Sequence, residues 1–232
     1  MEHPFLYLVF LLELIGLGDF AHSYPHVLYS WLIMAFMIIT GALCAKTISL
    51  VPSMPQNVLE AIISNIEEFM VSTAGEQGRF FFPLAGTLFL YIFICNLVGL
   101  FPGFFPPTAE LPTTLGLALI VFFYTHYVGI RTVGLKKYLK HFLGPIWWMG
   151  PLIAPLELVG HFARVLSLSF RLFGNMMGKE FVLFILFMLA GAFFAPLPMM
   201  MLGVFVSLIQ AFVFFLLSVL YFSLAMEDAD AH

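Results

Sequence analysis

The most constraining feature of this chain is a succession of long apolar runs, broken only by short polar or proline-marked stretches. A helix needs about 20 mostly apolar residues to cross a bilayer. Backbone amides cannot stay unpaired in hydrocarbon, so spanning segments are helices or closed barrels. A barrel would alternate polar and apolar residues over short stretches, whereas these runs are continuous. The expected fold is therefore an all-α polytopic membrane protein. Composition agrees: 62% of residues are hydrophobic and 9% charged, against roughly half and a quarter in a soluble domain. Those values exclude both a water-soluble globule and intrinsic disorder. The net charge of −4 is small and scattered, which argues against nucleic-acid binding.

We read residues 1–232 as a single integral membrane domain. Residues 1–26 form an external N-terminal segment; its apolar stretch 4–17 lacks a basic flank and a clear cleavage site, so it is read as retained. A first span over 27–45 ends at Lys46, and a polar, Pro-marked break follows over 51–56. In 57–72 the residues Val58, Leu59, Ile62, Ile63, Ile66, Phe69 and Met70 recur at helical spacing, with Glu60, Glu67 and Glu68 elsewhere; that pattern predicts an amphipathic helix at the interface or packed on its neighbours. The second span (80–101) leads into a Pro-rich loop at 102–112, and the third (113–130) into a basic loop with Arg131, Lys136, Lys137 and Lys140. Residues 27–140 thus supply peripheral helices. From 150 to 190 the helical pattern is nearly unbroken, Pro155 being the only proline past the first turn or so. At 1.5 Å per residue that is roughly 60 Å, twice the hydrocarbon thickness, so the segment must tilt, kink or project. After a turn at 195–198, a second limb over 199–226 reaches the acidic tail of Glu227, Asp228 and Asp230. The expectation is about five membrane-embedded helices plus one amphipathic helix, with the last two forming a long tilted hairpin across 145–226.

Cys44 and Cys95 lie inside apolar runs without metal-type spacing, so both read as small hydrophobes, and no metal or cofactor is expected. Lys and Arg in short loops set orientation. Lys46, Arg79, Arg131, Lys136, Lys137 and Lys140 share one face if the spans alternate. That face is expected to be cytoplasmic, with the N-terminus outside and the C-terminus inside.

Three cations remain, all in the first limb of the hairpin: Arg164, Arg171 and Lys179. A charge at mid-membrane costs about 2.5–3.5 kcal/mol on insertion scales and usually marks function. Lys179 could instead snorkel to an interface, and Arg164 could pair with an internal carboxylate. Arg171 has more telling neighbours. On a helical wheel Glu157, Gly160, Arg164, Ser167, Gly174, Asn175 and Gly178 fall within about 60° of it, while Leu172, Phe173 and Met177 point elsewhere. The stripe contains Gly174-x-x-x-Gly178, which lets another helix approach closely. A permanent cation within such a packing surface suits a partner bearing a carboxylate. Glu180, nine residues on, points to the opposite side, where it could line an aqueous path. Gln210 is the one strongly polar residue deep in the last limb; either Arg171 across the hairpin or backbone could satisfy it.

The run from Leu166 through Arg171 and Asn175 to Glu180, with Gln210-Ala-Phe downstream, resembles subunit a of the F-type ATP synthase membrane sector. Asn96 through Pro102, and Pro107-Thr-Ala-Glu110 leading to Thr113-Thr114, resemble it too. The likeness covers roughly residues 26–226. It implies a non-catalytic stator in a bacterial plasma (inner) membrane, with a ring of c subunits, peripheral-stalk b subunits and the rest of the complex as partners. Arg171 would attract the ring's buried carboxylates and block a leak between two offset half-channels. Proton passage would then be coupled to ATP synthesis. Glu180 would line one half-channel and Gln210 would sit near Arg171. Asn175, Ser167 and Glu157 match polar positions by the pathway, with His161, Arg164, Asn96 and Glu110 as further candidates. Two positions depart from the pattern. Some members carry a His seven residues before Gln210, where this chain has Gly203, so a Glu–His pairing is not carried over; His161 is a candidate substitute. Some members have an acidic residue where Gly99 stands. A stand-alone secondary transporter is the alternative from another class, but the repeats common in such proteins are not evident. An intramembrane enzyme lacks both a Gly-x-Ser-x-Gly elbow and a His-Glu-x-x-His.

Overall fold

A computed structural model describes residue 13 and residues 23–46, 54–101, 103–135, 138, 150–190 and 196–230. Helix α1 spans Pro25–Lys46, α2 Met54–Ala74, α3 Phe82–Val98, α4 Leu111–Val133, α5 Gly150–Ala190 and α6 Pro196–Asp230, with short 3-10 turns at Glu76–Phe80 and Pro107–Ala109. The described residues form no strand. Of these helices α1, α4, α5 and α6 are long and apolar enough to cross a membrane, while α3 is apolar but only 17 residues long. The second span therefore starts two residues later than its hydropathy implied: Glu76–Phe80 forms a separate turn, and Pro83 sits in the first turn of α3, where a missing N–H costs nothing. The hairpin takes the expected form of two long limbs, with α5 at 41 residues and α6 at 35. Most of the N-terminal segment, the basic cluster Lys136, Lys137 and Lys140, and residues 191–195 lie outside the described residues. Of the turn expected at 195–198, Pro196, Leu197 and Pro198 instead form the first turn of α6, where prolines lose no helical hydrogen bond.

Helix α6 is the centre of the packing, with α3, α4, α2 and α5 against it. Its inward residues Ala211, Phe214, Phe215, Val219 and Phe222 are buried among Ala85 and Leu88 of α3, Leu117 and Val121 of α4, and Leu168, Leu172 and Met176 of α5. Aromatic rings lock these contacts at tilted or edge-on geometries: Phe89 to Phe215 at 5.9 Å and Phe81 to Phe222 at 5.5 Å between centroids. In lipid, where hydrocarbon already surrounds each helix, such close packing is what holds helices together. The outward faces of α1, α5 and α6 expose Trp31, Ile38, Phe184, Met188 and Met201, as suits a lipid solvent. Amphipathic α2 lays Met70 into the core and sets the Phe69 ring at a tilt against Phe212, 4.9 Å between centroids.

The Pro-rich stretch is an inward-packed plug rather than an exposed loop. Phe105, Pro107, Thr108 and Ala109 are buried, and the turn touches α1, α3, α4 and α5. Thr108 Oγ1 donates to Asn96 Oδ1 at 2.7 Å, both residues fully buried, which fastens the plug to the end of α3.

Candidate functional site

The Arg171 stripe lies on the outside of the fold. Arg171, Ser167, Gly174, Asn175 and Gly178 are exposed, while Leu168, Leu172 and Met176 on the adjacent flank of α5 are buried. A Cβ built on Gly160, Gly174 or Gly178 would meet nothing within 4 Å. Arg171 makes no ion pair among the described residues. The wheel's separation of a small polar face from a bulky one is thus realised, and the small face is left uncovered. Gln210 is buried, yet its Oε1 accepts a 2.7 Å hydrogen bond from Asn175 Nδ2. The amide's partner across the hairpin is therefore Asn175 rather than Arg171, and the link leaves the guanidinium available to something outside the chain. Thr114 and Ser169 share a buried 3.0 Å hydrogen bond that fixes α4 against α5 two residues before Arg171.

One end of the stripe leads to a polar cluster between α3, α5 and α6. Lys179 does not snorkel. It is 5% exposed, and its Nζ donates to the Asn96 carbonyl at 3.2 Å and to Ser207 Oγ at 3.4 Å. Buried charges require such hydrogen bonds, and α3 supplies one because its last turn leaves carbonyls unpaired within the helix. The Asn96 Nδ2 beside it is buried without a protein partner, a place for water where a polar group would otherwise be orphaned. Glu180 is half-buried, within electrostatic reach of Lys179 and Glu110. Gly203 makes room for this arrangement, because a Cβ there would run into Leu100 Cδ2 and lie 3.4 Å from Lys179 Cδ. The lysine chain thus occupies the space toward which a larger residue at 203 would project.

Gly99 has an equally direct cause. A Cβ at that position would lie 2.5 Å from Pro106 Cβ and 2.7 Å from its Cγ. A pyrrolidine ring cannot rotate away, so an acidic side chain there requires the plug to move. We expect Gly99→Asp and Gly99→Ala each to destabilise the fold by about 1–3 kcal/mol, the usual cost of overpacking. Thermal melting of the detergent-solubilised protein checks this; variants that melt with the parent would contradict the packing.

At the far end of α5 stand Glu157, His161 and Arg164. Glu157 Oε1 and His161 Nε2 are 3.6 Å apart, one helical turn from each other. His161 cannot replace a Glu–His pairing at Glu180, because the two are separated by 19 positions, about 28 Å of helix. Arg164 stacks its guanidinium 5.5 Å from the Tyr221 ring centroid instead of pairing with a carboxylate, a contact guanidinium groups favour. The sequence reading missed Lys179's role in the buried network and His126, whose ring on α4 lies 4.9 Å from that of His161. His126 and His161 are far apart in sequence, and no local spacing signals their meeting.

The arrangement defines a class: a helical membrane subunit with one outward cation on a close-packing stripe between two internal polar clusters. Comparison with known proteins narrows it. Residues 27–223 match the model of the ATP synthase A chain family. The chain is 61% identical over 229 residues to ATP synthase subunit a of Desulfosudis oleivorans, covering 99% of this chain and all of that one. It is 51% identical to ATP synthase subunit a of Syntrophobacter fumaroxidans, with 99% and 100% covered, and 51% to that of Geotalea daltonii, with 98% and 99% covered. The chain belongs to the ATP synthase subunit a family.

Proposed function

We propose that this chain is the stator of a rotary proton path, feeding and draining the buried carboxylates of a c-subunit ring while ATP chemistry occurs on partner subunits. The observation that carries this reading is the uncovered Arg171 stripe, with its glycines facing open space. A guanidinium stays protonated under all relevant conditions. A carboxylate carried past it favours its ionised form, and returning to lipid favours the neutral one. Arg171 divides α5 unequally. Glu157 lies 14 residues to one side and Glu180 nine to the other, about 21 Å and 14 Å of helix. The cluster of Glu180, Lys179, Asn96 and Glu110 serves as the outer half-channel, next to the plug. Glu157 and Ser167 line the inner one, and Arg171 bars a direct leak. Asn175 and Gln210 hold the face on which the ring slides. The positive-inside expectation puts the Glu157 end toward the cytoplasm and the plug outside, in a bacterial inner membrane, with peripheral-stalk b subunits holding the stator still.

Cross-linking tests the ring contact. A cysteine introduced as Gly174→Cys should form a disulfide with a cysteine placed beside the ring's carboxylate, in the assembled complex under mild oxidation. Phe184→Cys on the lipid-exposed face should form none. Equal yields from both positions would overturn the docking of the stripe.

A further inference from the structure

Behind Glu157, on the side of α5 that meets α4 and α6, the structure holds a cavity of about 20 Å³. That is room for about one water. Its polar lining is Thr125 and His126 from α4, His161 and Arg164 from α5, and Tyr221 from α6. Apolar Val121, Phe122 and Leu168 complete the wall. His126 Nδ1 lies 2.9 Å from the Phe122 carbonyl. A carbonyl only accepts, so Nδ1 carries the hydrogen and Nε2 is the nitrogen that takes up a second proton. The His161 ring stands edge-on to His126, 4.9 Å between centroids, and turns its Nε2 to Glu157 at 3.6 Å. His161 is 12% exposed at its side chain and Glu157 37%, and His126 is partly exposed as well, so the series reaches the surface at both of its ends. Among the described residues, the charged or titratable groups facing the pair include Arg164 and Tyr221, which share the cavity, and Tyr138, whose ring is 6.0 Å from that of His126.

We propose that His126, His161 and Glu157, with a water in this cavity, form a proton relay behind the inner half-channel. This rests on the stator reading above. A proton bound at Glu157 moves to His161 Nε2, and His161 releases one from its other nitrogen toward the cavity water and His126 Nε2. His126, itself partly exposed, passes a proton on from Nε2 to water at the inner surface, and the opposite sequence brings one in to Glu157, so each imidazole ends with the proton count it began with. Imidazole suits this task because its ordinary pKa, about 6.5, lies close to cytoplasmic pH. Arg164 is held against Tyr221 and repels a second proton, so the pair carries one at a time. A stepping stone of this kind lets protons collect over a wider inner surface than Glu157 alone presents.

The test uses the complete complex in proteoliposomes. His161→Ala is expected to slow passive proton conduction through the membrane sector about tenfold, a modest share of what positioned proton transfer supplies. Added imidazole should restore much of that loss, which a merely structural role of His161 would not allow. Thr125→Cys, near-isosteric in the cavity wall, should react with silver ion applied from the inner side and then block conduction, while the parent chain is unaffected. Wild-type conduction by His161→Ala, or a loss that imidazole fails to restore, would overturn the relay, as would a Thr125→Cys protein inert to silver. If Arg171→Ala still pumps, the stator reading itself falls. If Arg171→Ala is dead and His161→Ala conducts normally, only the relay does.

Discussion

Arg171→Ala is expected to abolish ATP-driven proton pumping in inverted membrane vesicles while leaving the complex assembled. The two halves of that outcome have separate causes. Assembly survives because Arg171 is exposed and forms no ion pair among the described residues, so truncation leaves no charge unpaired among them. Pumping fails because no neighbour on the stripe can hold an ionised carboxylate there: Ser167, Gly174, Asn175 and Gly178 are neutral, and Arg164 lies two turns away, stacked on Tyr221. Two unit charges about 4 Å apart attract by about 4 kcal/mol at an effective dielectric of 20, a factor of roughly a thousand in the ionisation equilibrium. Arg171→Lys should recover little, since a compact ammonium lacks the guanidinium's planar fork and loses its proton more readily. Dye-quenching measurements decide the matter; pumping by Arg171→Ala above about a tenth of the parent rate would end the stator reading.

The second large effect is expected at Gly203. Gly203→His places an imidazole where Leu100 and the Lys179 methylene chain already lie, both residues nearly fully buried. Overpacking costs about 1–3 kcal/mol. Displacing Lys179 also breaks hydrogen bonds from a charged donor, each worth about 1.5–3 kcal/mol. We expect a sharp fall in the amount of assembled complex, measured by quantitative immunoblotting of membranes. Gly203→Ala should be much milder, because only the tip of the Leu100 side chain meets the added methyl and can rotate. Equal abundance of the histidine variant and the parent would show that Lys179 does not fill that space.

The architecture was legible because lipid imposes simple rules. Apolar run length gave the spans, Glu60, Glu67 and Glu68 marked α2 as amphipathic, and the length of 150–190 forecast a limb too long for an upright crossing. The Arg171 face was legible because helical periodicity sorts a glycine-rich polar stripe from Leu172 and Met176 by angle alone. What stayed hidden required contacts between distant segments. Lys179 could equally have snorkelled; its burial depends on a carbonyl of Asn96 and the missing side chain of Gly203. The Asn175–Gln210 bond depends on how α5 and α6 are rotated against each other. The plug depends on Pro106 resting on Gly99, and a proline-rich composition by itself only predicts a loop.

The 41-residue length of α5 also determines where the membrane voltage acts. A straight helix of about 62 Å kept inside about 30 Å of hydrocarbon must lie at about 60° or more from the membrane normal. The 23 residues from Glu157 to Glu180 then differ by only about 17 Å in depth, while lying about 30 Å apart sideways. Most of the displacement between the two sites is along the equipotential planes, where motion of a charge gains nothing from the field. The depth of about 17 Å is still about half of the hydrocarbon thickness, so on the stator reading about half of the 2.3 kcal/mol or so per charge per 100 mV drops between the two sites and the rest along the approaches to them. On that reading the field along the approaches biases which carboxylates are filled, and the share between the two sites adds to that bias in making thermal motion of the ring directional.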